Sequence, residues 1–114
     1  MSEAKSASLA ERHSQPIKPG TPALSEAYVK ELLAGLPGWV SKEGAISKGF
    51  SFKNYYETMA FVNAVAWVAH HEDHHPDMEV GYNRCKVKFS THSVGGLSEN
   101  DFISAAKVER LFRV

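Results

Sequence analysis

Between Asn54 and Asp73 the chain carries Tyr55, Tyr56, Met59, Phe61, Val62, Val65, Trp67 and Val68 with no proline or glycine, and no other stretch constrains the fold as much. Asn54 is a good helix cap and Pro76 disfavours helical backbone at His75, so the reading is one long helix ending near Asp73 or His74. Its apolar side chains fall nearly all the way round. A helix resting on a sheet needs only one apolar stripe, so the surplus predicts a second surface to bury and, with it, a homo-oligomer.

Period-two stretches flank that helix. Before it, Trp39-Val40-Ser41, a turn around Glu43-Gly44 and a second strand with Ile46, Phe50 and Phe52 read as a hairpin. Lys48 interrupts the apolar alternation, which requires it to snorkel or to sit at the sheet margin. After it, Val80-Gly81-Tyr82 reads as a short strand and Asn83-Arg84 as a tight turn. Cys85, Val87, Phe89 and Thr91 then alternate with Arg84, Lys86, Lys88 and Ser90 in a strand that ends at His92.

Helices are expected at both ends as well. Ser25 caps a run in which Val29, Leu32, Leu33 and Leu36 share a face, stopped by Gly35 and Pro37-Gly38. Gly95-Gly96 permits a reversal, and Ser98-Glu99-Asn100-Asp101 has the capping-box pattern of a helix running to about Leu111. The order α-β-β-α-β-β-α gives an α+β fold, a four-stranded antiparallel sheet with three helices on one face.

The chain has 114 residues, enough for one core, so residues 23–114 are expected as a single domain. Residues 1–22 mix Ser, Ala, charge and Pro16, Pro19 and Pro22 without periodicity, which reads as a flexible leader in which His13 has no specific task. Thirteen basic and thirteen acidic residues leave no net charge, so no broad positive field exists for direct nucleic-acid binding. The absence of an apolar run near the start argues against a membrane partner, and a lone Cys85 suits a reducing compartment; a cytoplasmic location is expected.

Four of the six histidines stand in His70-His71-Glu72-Asp73-His74-His75-Pro76. His71 to His75 satisfies His-Glu-x-x-His, a zinc-protease spacing, but that chemistry needs a continuing helix and a third ligand, and Pro76 ends the helix at the second histidine. No metal is therefore expected. His70 and His71 read as solvated residues in the last helical turn, where cations suit the carbonyl end of the dipole. His74, His75 and His92 read differently. A strand ending at His92 can return it beside the helix exit, and several imidazoles at one cleft can divide acid and base roles at neutral pH.

His74-His75-Pro76 followed by Tyr82, His92 and Asp101, together with Tyr82-Asn83-Arg84, Ser90-Thr91-His92 and Gly95-Gly96-Leu97-Ser98, resembles the pterin-4a-carbinolamine dehydratase family. The resemblance runs from about Leu24 through Pro37-Gly38-Trp39 to the C-terminus and leaves only the leader outside. It implies dehydration of 4a-hydroxytetrahydropterin to quinonoid dihydropterin, a reaction that recycles the cofactor of aromatic amino acid hydroxylases and needs no cofactor of its own.

By the same resemblance His74 and His92 are the acid and base, in an order that the sequence leaves open, and His75 orients the pterin. Pro76 sets the chain direction, Trp39 walls the substrate site, and Asp101 steadies a histidine, although its capping-box position is by itself a sufficient reason for a carboxylate. His70 stands where the family often has an acid that holds the amino-pyrimidine ring. The sequence also admits two other readings: a non-catalytic interaction module like the family's dimerisation cofactor, and a zinc hydrolase.

Overall fold

The computed structural model describes residues 8–111; the first seven positions of the expected leader and the last three of the expected domain lie outside them. Helix α1 (Glu26–Leu33) is followed by strands β1 (Val40–Lys42) and β2 (Ala45–Ser51), helix α2 (Tyr55–Glu72), strands β3 (Asp77–Val80) and β4 (Arg84–Phe89), and helix α3 (Glu99–Arg110). The strands form one antiparallel sheet in the order β1-β2-β4-β3. This is the expected α+β fold, and from α1 onward the elements follow the expected order; residues 8–11 are also helical, a segment the sequence did not lead us to expect.

Each local boundary has a physical cause. The side chains of Ser25 and Asn54 accept the backbone N–H groups of Tyr28 and Glu57 at the starts of α1 and α2. Lys42 pairs with Ala45, so Glu43-Gly44 is a two-residue loop, and both residues have positive φ (52° and 76°), the backbone twist that joins tightly paired strands.

The core lies between the sheet and the helices. Ile46, Phe50, Cys85, Val87 and Phe89 from the sheet meet Phe61 and Val65 of α2, Phe102, Ile103, Ala106 and Val108 of α3, and Val29 and Leu32 of α1. Lys48 lies on this inward phase of β2 and snorkels: its Nζ reaches Glu109 Oε1 at 2.5 Å and the Pro37 carbonyl at 3.1 Å, 5.2 Å from the Phe50 ring centroid. Gly38 makes room for it. A Cβ built there would lie 2.9 Å from the Lys48 side chain.

Two expectations are corrected. Strand β3 occupies Asp77–Val80, immediately after Pro76, and not Val80–Tyr82. Asp77 and Glu79 are poor strand formers, but they lie opposite Lys88 and Lys86, and this charge pairing favours the register. Tyr82 is in the turn and stacks on Tyr55, with centroids 6.4 Å apart.

The second correction concerns the leader over residues 8–15. Leu9 and Ala10 are buried, Lys107 Nζ donates to the Ala10 carbonyl at 2.8 Å, and His13 and Ser14 both contact Glu72. No helix among the described residues is long and apolar enough to cross a membrane.

Candidate active site

Helix α2 stops in a way that aims His74. Asp73 takes the left-handed conformation (φ 51°), its N–H donates to the His70 carbonyl at 3.3 Å, and the His74 N–H donates to the Ala69 carbonyl at 3.1 Å. This pair of bonds is a Schellman motif with aspartate in the place glycine usually fills. The helix therefore ends before Pro76, and His74 leaves it with its backbone already fixed.

The His74 ring is fixed too. Its Nε2 lies 2.5 Å from Asp101 Oδ1, and its plane stacks on Phe89 at 6.0 Å and 11°. Asp101 is fully buried at the start of α3. Its second oxygen, Oδ2, accepts the Ser98 N–H at 2.9 Å and the Thr91 hydroxyl at 2.8 Å, while the Thr91 and Ser98 hydroxyls are 2.7 Å apart. Asp101 thus completes a capping box and holds a histidine with the same carboxylate. Capping and the histidine contact coexist in one side chain.

Thr91 continues the inward phase of β4, pairs with Gly96, and hands the chain to a single 3-10 turn over His92–Val94. His92 is exposed beside a depression of about 230 Å³ that also involves Asp77, Lys88, Ser90 and Thr91. His75 is exposed on the segment between α2 and β3. The structure joins His74 to Asp101 directly, and it places His92 one residue after the threonine that binds Asp101.

The other candidates stand further back. Pro76 is half-buried directly before β3. Trp39 is buried in the core, donates from Nε1 to Glu109 at 2.8 Å, and lies 6.0 Å from the Phe89 ring, so Phe89 separates it from His74. His70 is exposed on the last turn of α2.

The zinc-protease spacing is not assembled. With the helix finished at Glu72, His71 and His75 are not successive turns of one face; His71 stacks on Trp67, with centroids 5.0 Å apart. Glu72 is buried against His13 Nδ1 at 2.9 Å, the Ser14 N–H at 2.7 Å and Lys107 Nζ at 3.6 Å. Burial alone would raise its pKa, but the Ser14 and His13 hydrogen bonds and the Lys107 charge outweigh that and hold it below the ordinary carboxylate range. Among the described residues no group of three or more His, Cys, Asp and Glu side chains is placed to hold a metal ion.

Phe89, Thr91 and Ser98 are the site residues that spacing alone did not assign. A hydroxyl at the inward phase of an otherwise apolar strand was the available signal for Thr91, because a buried hydroxyl needs a partner.

Residues 22–111 match the family model described as pterin 4 alpha carbinolamine dehydratase. The chain belongs to that family. As a member it is a dehydratase, of the lyase class. A Nitrosomonas eutropha protein named as a pterin-4-alpha-carbinolamine dehydratase is 60% identical over 104 residues, covering 90% of this chain and 92% of that protein. A Nitrosospira multiformis protein of the same name is 55% identical over 106 residues, covering 93% and 94%.

Among solved structures, a transcriptional coactivator/pterin dehydratase from Brucella melitensis superimposes with a TM-score of 0.75 at 34% identity, covering 78% of this chain and 97% of that one. A pterin dehydratase-like protein identified as a RuBisCO assembly factor in the alpha-carboxysome shares the fold, with a TM-score of 0.54 at 24% identity, covering 64% of this chain and 84% of that one.

Proposed function

We propose that this chain dehydrates a 4a-hydroxytetrahydropterin to the quinonoid dihydropterin, with His74 and His92 as the proton-transfer pair and His75 orienting the ring. The C4a–O bond breaks, the hydroxyl leaves as water with a proton from the acid, the base takes the proton from N5, and a C4a=N5 double bond forms. No electrons leave the substrate, so no oxidant is needed. The requirement is one proton donor and one proton acceptor held on opposite tasks around one flat ring.

The single observation that carries this reading is the His74–Asp101 bond at 2.5 Å, made by a carboxylate whose other oxygen binds the residue next to His92. One buried acid thereby couples the helix exit to the end of β4. Pro76 gives the direction in which His75 is presented, Phe89 and Trp39 back the His74 ring, and His70 lies at the outer edge. The physiological role that follows is recycling of the pterin used by aromatic amino acid hydroxylases. Purified protein mixed with freshly generated 4a-hydroxytetrahydropterin is expected to speed the loss of that compound's absorbance over buffer; an unchanged decay overturns the reading.

The site would work within a homo-oligomer. Tyr56 and Trp67 are 83% and 66% exposed on α2, and side chains of that size on one outward helix face favour a second copy. The same face is available to another protein, which keeps the interaction-module reading as the weaker alternative. Histidine substitutions that leave the cellular phenotype intact, with loss on changing Tyr56 and Trp67, would favour it.

A further inference from the structure

We infer that Thr91 is a positioning residue for His74: acting through Asp101, it fixes the ring hydrogen of His74 on Nε2 and leaves Nδ1 as the ring nitrogen that exchanges a proton in the reaction. What Nδ1 does there rests on the dehydratase reading above; where the hydrogen sits does not.

The direction of every hydrogen in the cluster follows from the inventory of donors. An ionised carboxylate only accepts. Asp101 Oδ2 already receives two donors, the Ser98 N–H at 2.9 Å and the Thr91 hydroxyl at 2.8 Å. The single hydrogen of Thr91 is spent in that bond, so in its 2.7 Å contact with Ser98 Oγ the serine is the donor. With the carboxylate ionised, Oδ1 accepts as well, and its partner at 2.5 Å, His74 Nε2, carries the hydrogen. The chain runs one way, from Ser98 to Thr91 to Asp101, with His74 donating in from the other side.

This arrangement holds in both protonation states of His74. The neutral ring has its hydrogen on Nε2 and a lone pair on Nδ1; the cation adds a hydrogen at Nδ1 only. Nδ1 has no hydrogen-bond partner among the described residues. Proton gain and proton release therefore occur at one atom, with no change of tautomer and no movement of the ring against Phe89.

Without the Thr91 hydroxyl, the charged form of the buried acid loses one of its hydrogen bonds. A proton on Asp101 is then less costly, and a protonated Asp101 donates to Nε2, which moves the ring hydrogen to Nδ1 and blocks it as a base. Thr91→Val keeps the shape and removes the donor. Thr91→Ser keeps the donor.

The test is the imidazole nitrogen–proton correlation spectrum of nitrogen-15-labelled protein, with His74→Gln assigning the resonance, read beside steady-state kinetics. The wild type and Thr91→Ser are expected to show His74 as the Nε2–H tautomer. Thr91→Val is expected to shift the population toward Nδ1–H and to lower kcat on the order of tenfold with KM changed less than about twofold. If Thr91→Val does not fold, Ser98→Ala is read instead and is expected to give a smaller shift in the same direction. A wild-type Nδ1–H tautomer, or a folded variant with tautomer and kcat both unchanged, overturns the inference. A tautomer shift in a protein whose wild type does not act on the pterin supports the positioning role and removes the dehydratase reading alone.

Discussion

His74 Nε2 lies 2.5 Å from Asp101 Oδ1 across 27 positions of sequence, and this bond ties the C-terminal exit of α2 to the first turn of α3. Asp101 is fully buried, so replacing it leaves its three partners without an ionised acceptor. Asp101→Asn places an amide where two donors and a histidine now converge. The expected cost is about 1–3 kcal/mol of stability, read by urea denaturation, together with a fall in kcat. Unchanged stability would contradict the dependence of these three partners on an ionised acceptor.

Glu72 supplies a pH signature unrelated to catalysis. Its pKa is lowered in the folded protein, so its contribution is fully present above the ordinary glutamate range and is lost as pH falls through the depressed folded value. Stability of the wild type is therefore expected to drop on acidification from about pH 5, and Glu72→Gln is expected to flatten that limb. At neutral pH the variant should be less stable by about 1–3 kcal/mol, because hydrogen bonds to a charged acceptor are the stronger kind. Chemical denaturation repeated across the acid range checks both.

The packing of residues 8–15 is tested with one side chain. Leu9 is 3% exposed, so Leu9→Ala is expected to destabilise the protein by about 2 kcal/mol or more, as truncating a buried leucine does. A leader without contacts would show a change near zero. Thermal unfolding distinguishes the two.

Assembly is tested by mass. Light scattering is expected to give a multiple of the 12.6 kDa chain, and Tyr56→Glu with Trp67→Glu is expected to give the monomer mass without loss of secondary structure, since both side chains are exposed on the isolated fold. A monomeric wild type contradicts self-association through α2.

The helices and the hairpin over β1 and β2 were legible because their signals are local: caps at Ser25 and Asn54, a Glu43-Gly44 turn, apolar residues in phase. The position of β3 was not, because Asp77 and Glu79 become favourable only once Lys88 and Lys86 stand opposite them. The same holds for residues 8–15. His13 and Ser14 acquire a partner only through Glu72, close to 60 positions away, and nothing near them in sequence announces it.

At the candidate site, the spacing of His74, His75, His92 and Asp101 was readable. The left-handed Asp73 that aims His74 was not, nor was the hydroxyl chain through Thr91 and Ser98. Backbone conformation at a helix end and the direction of a buried hydrogen bond depend on neighbours brought together by folding.

The most direct measurement is stopped-flow decay of 4a-hydroxytetrahydropterin with wild type, His74→Ala, His92→Ala and the double variant, each first shown to be folded by circular dichroism. Wild type should accelerate the decay, and each single variant should lose about a hundredfold or more of kcat, the usual contribution of a positioned acid or base. The double variant should lose less than the product of the two single losses, because the pair acts on one transition state. Full activity in folded His74→Ala or His92→Ala would contradict the assignment of the proton-transfer pair.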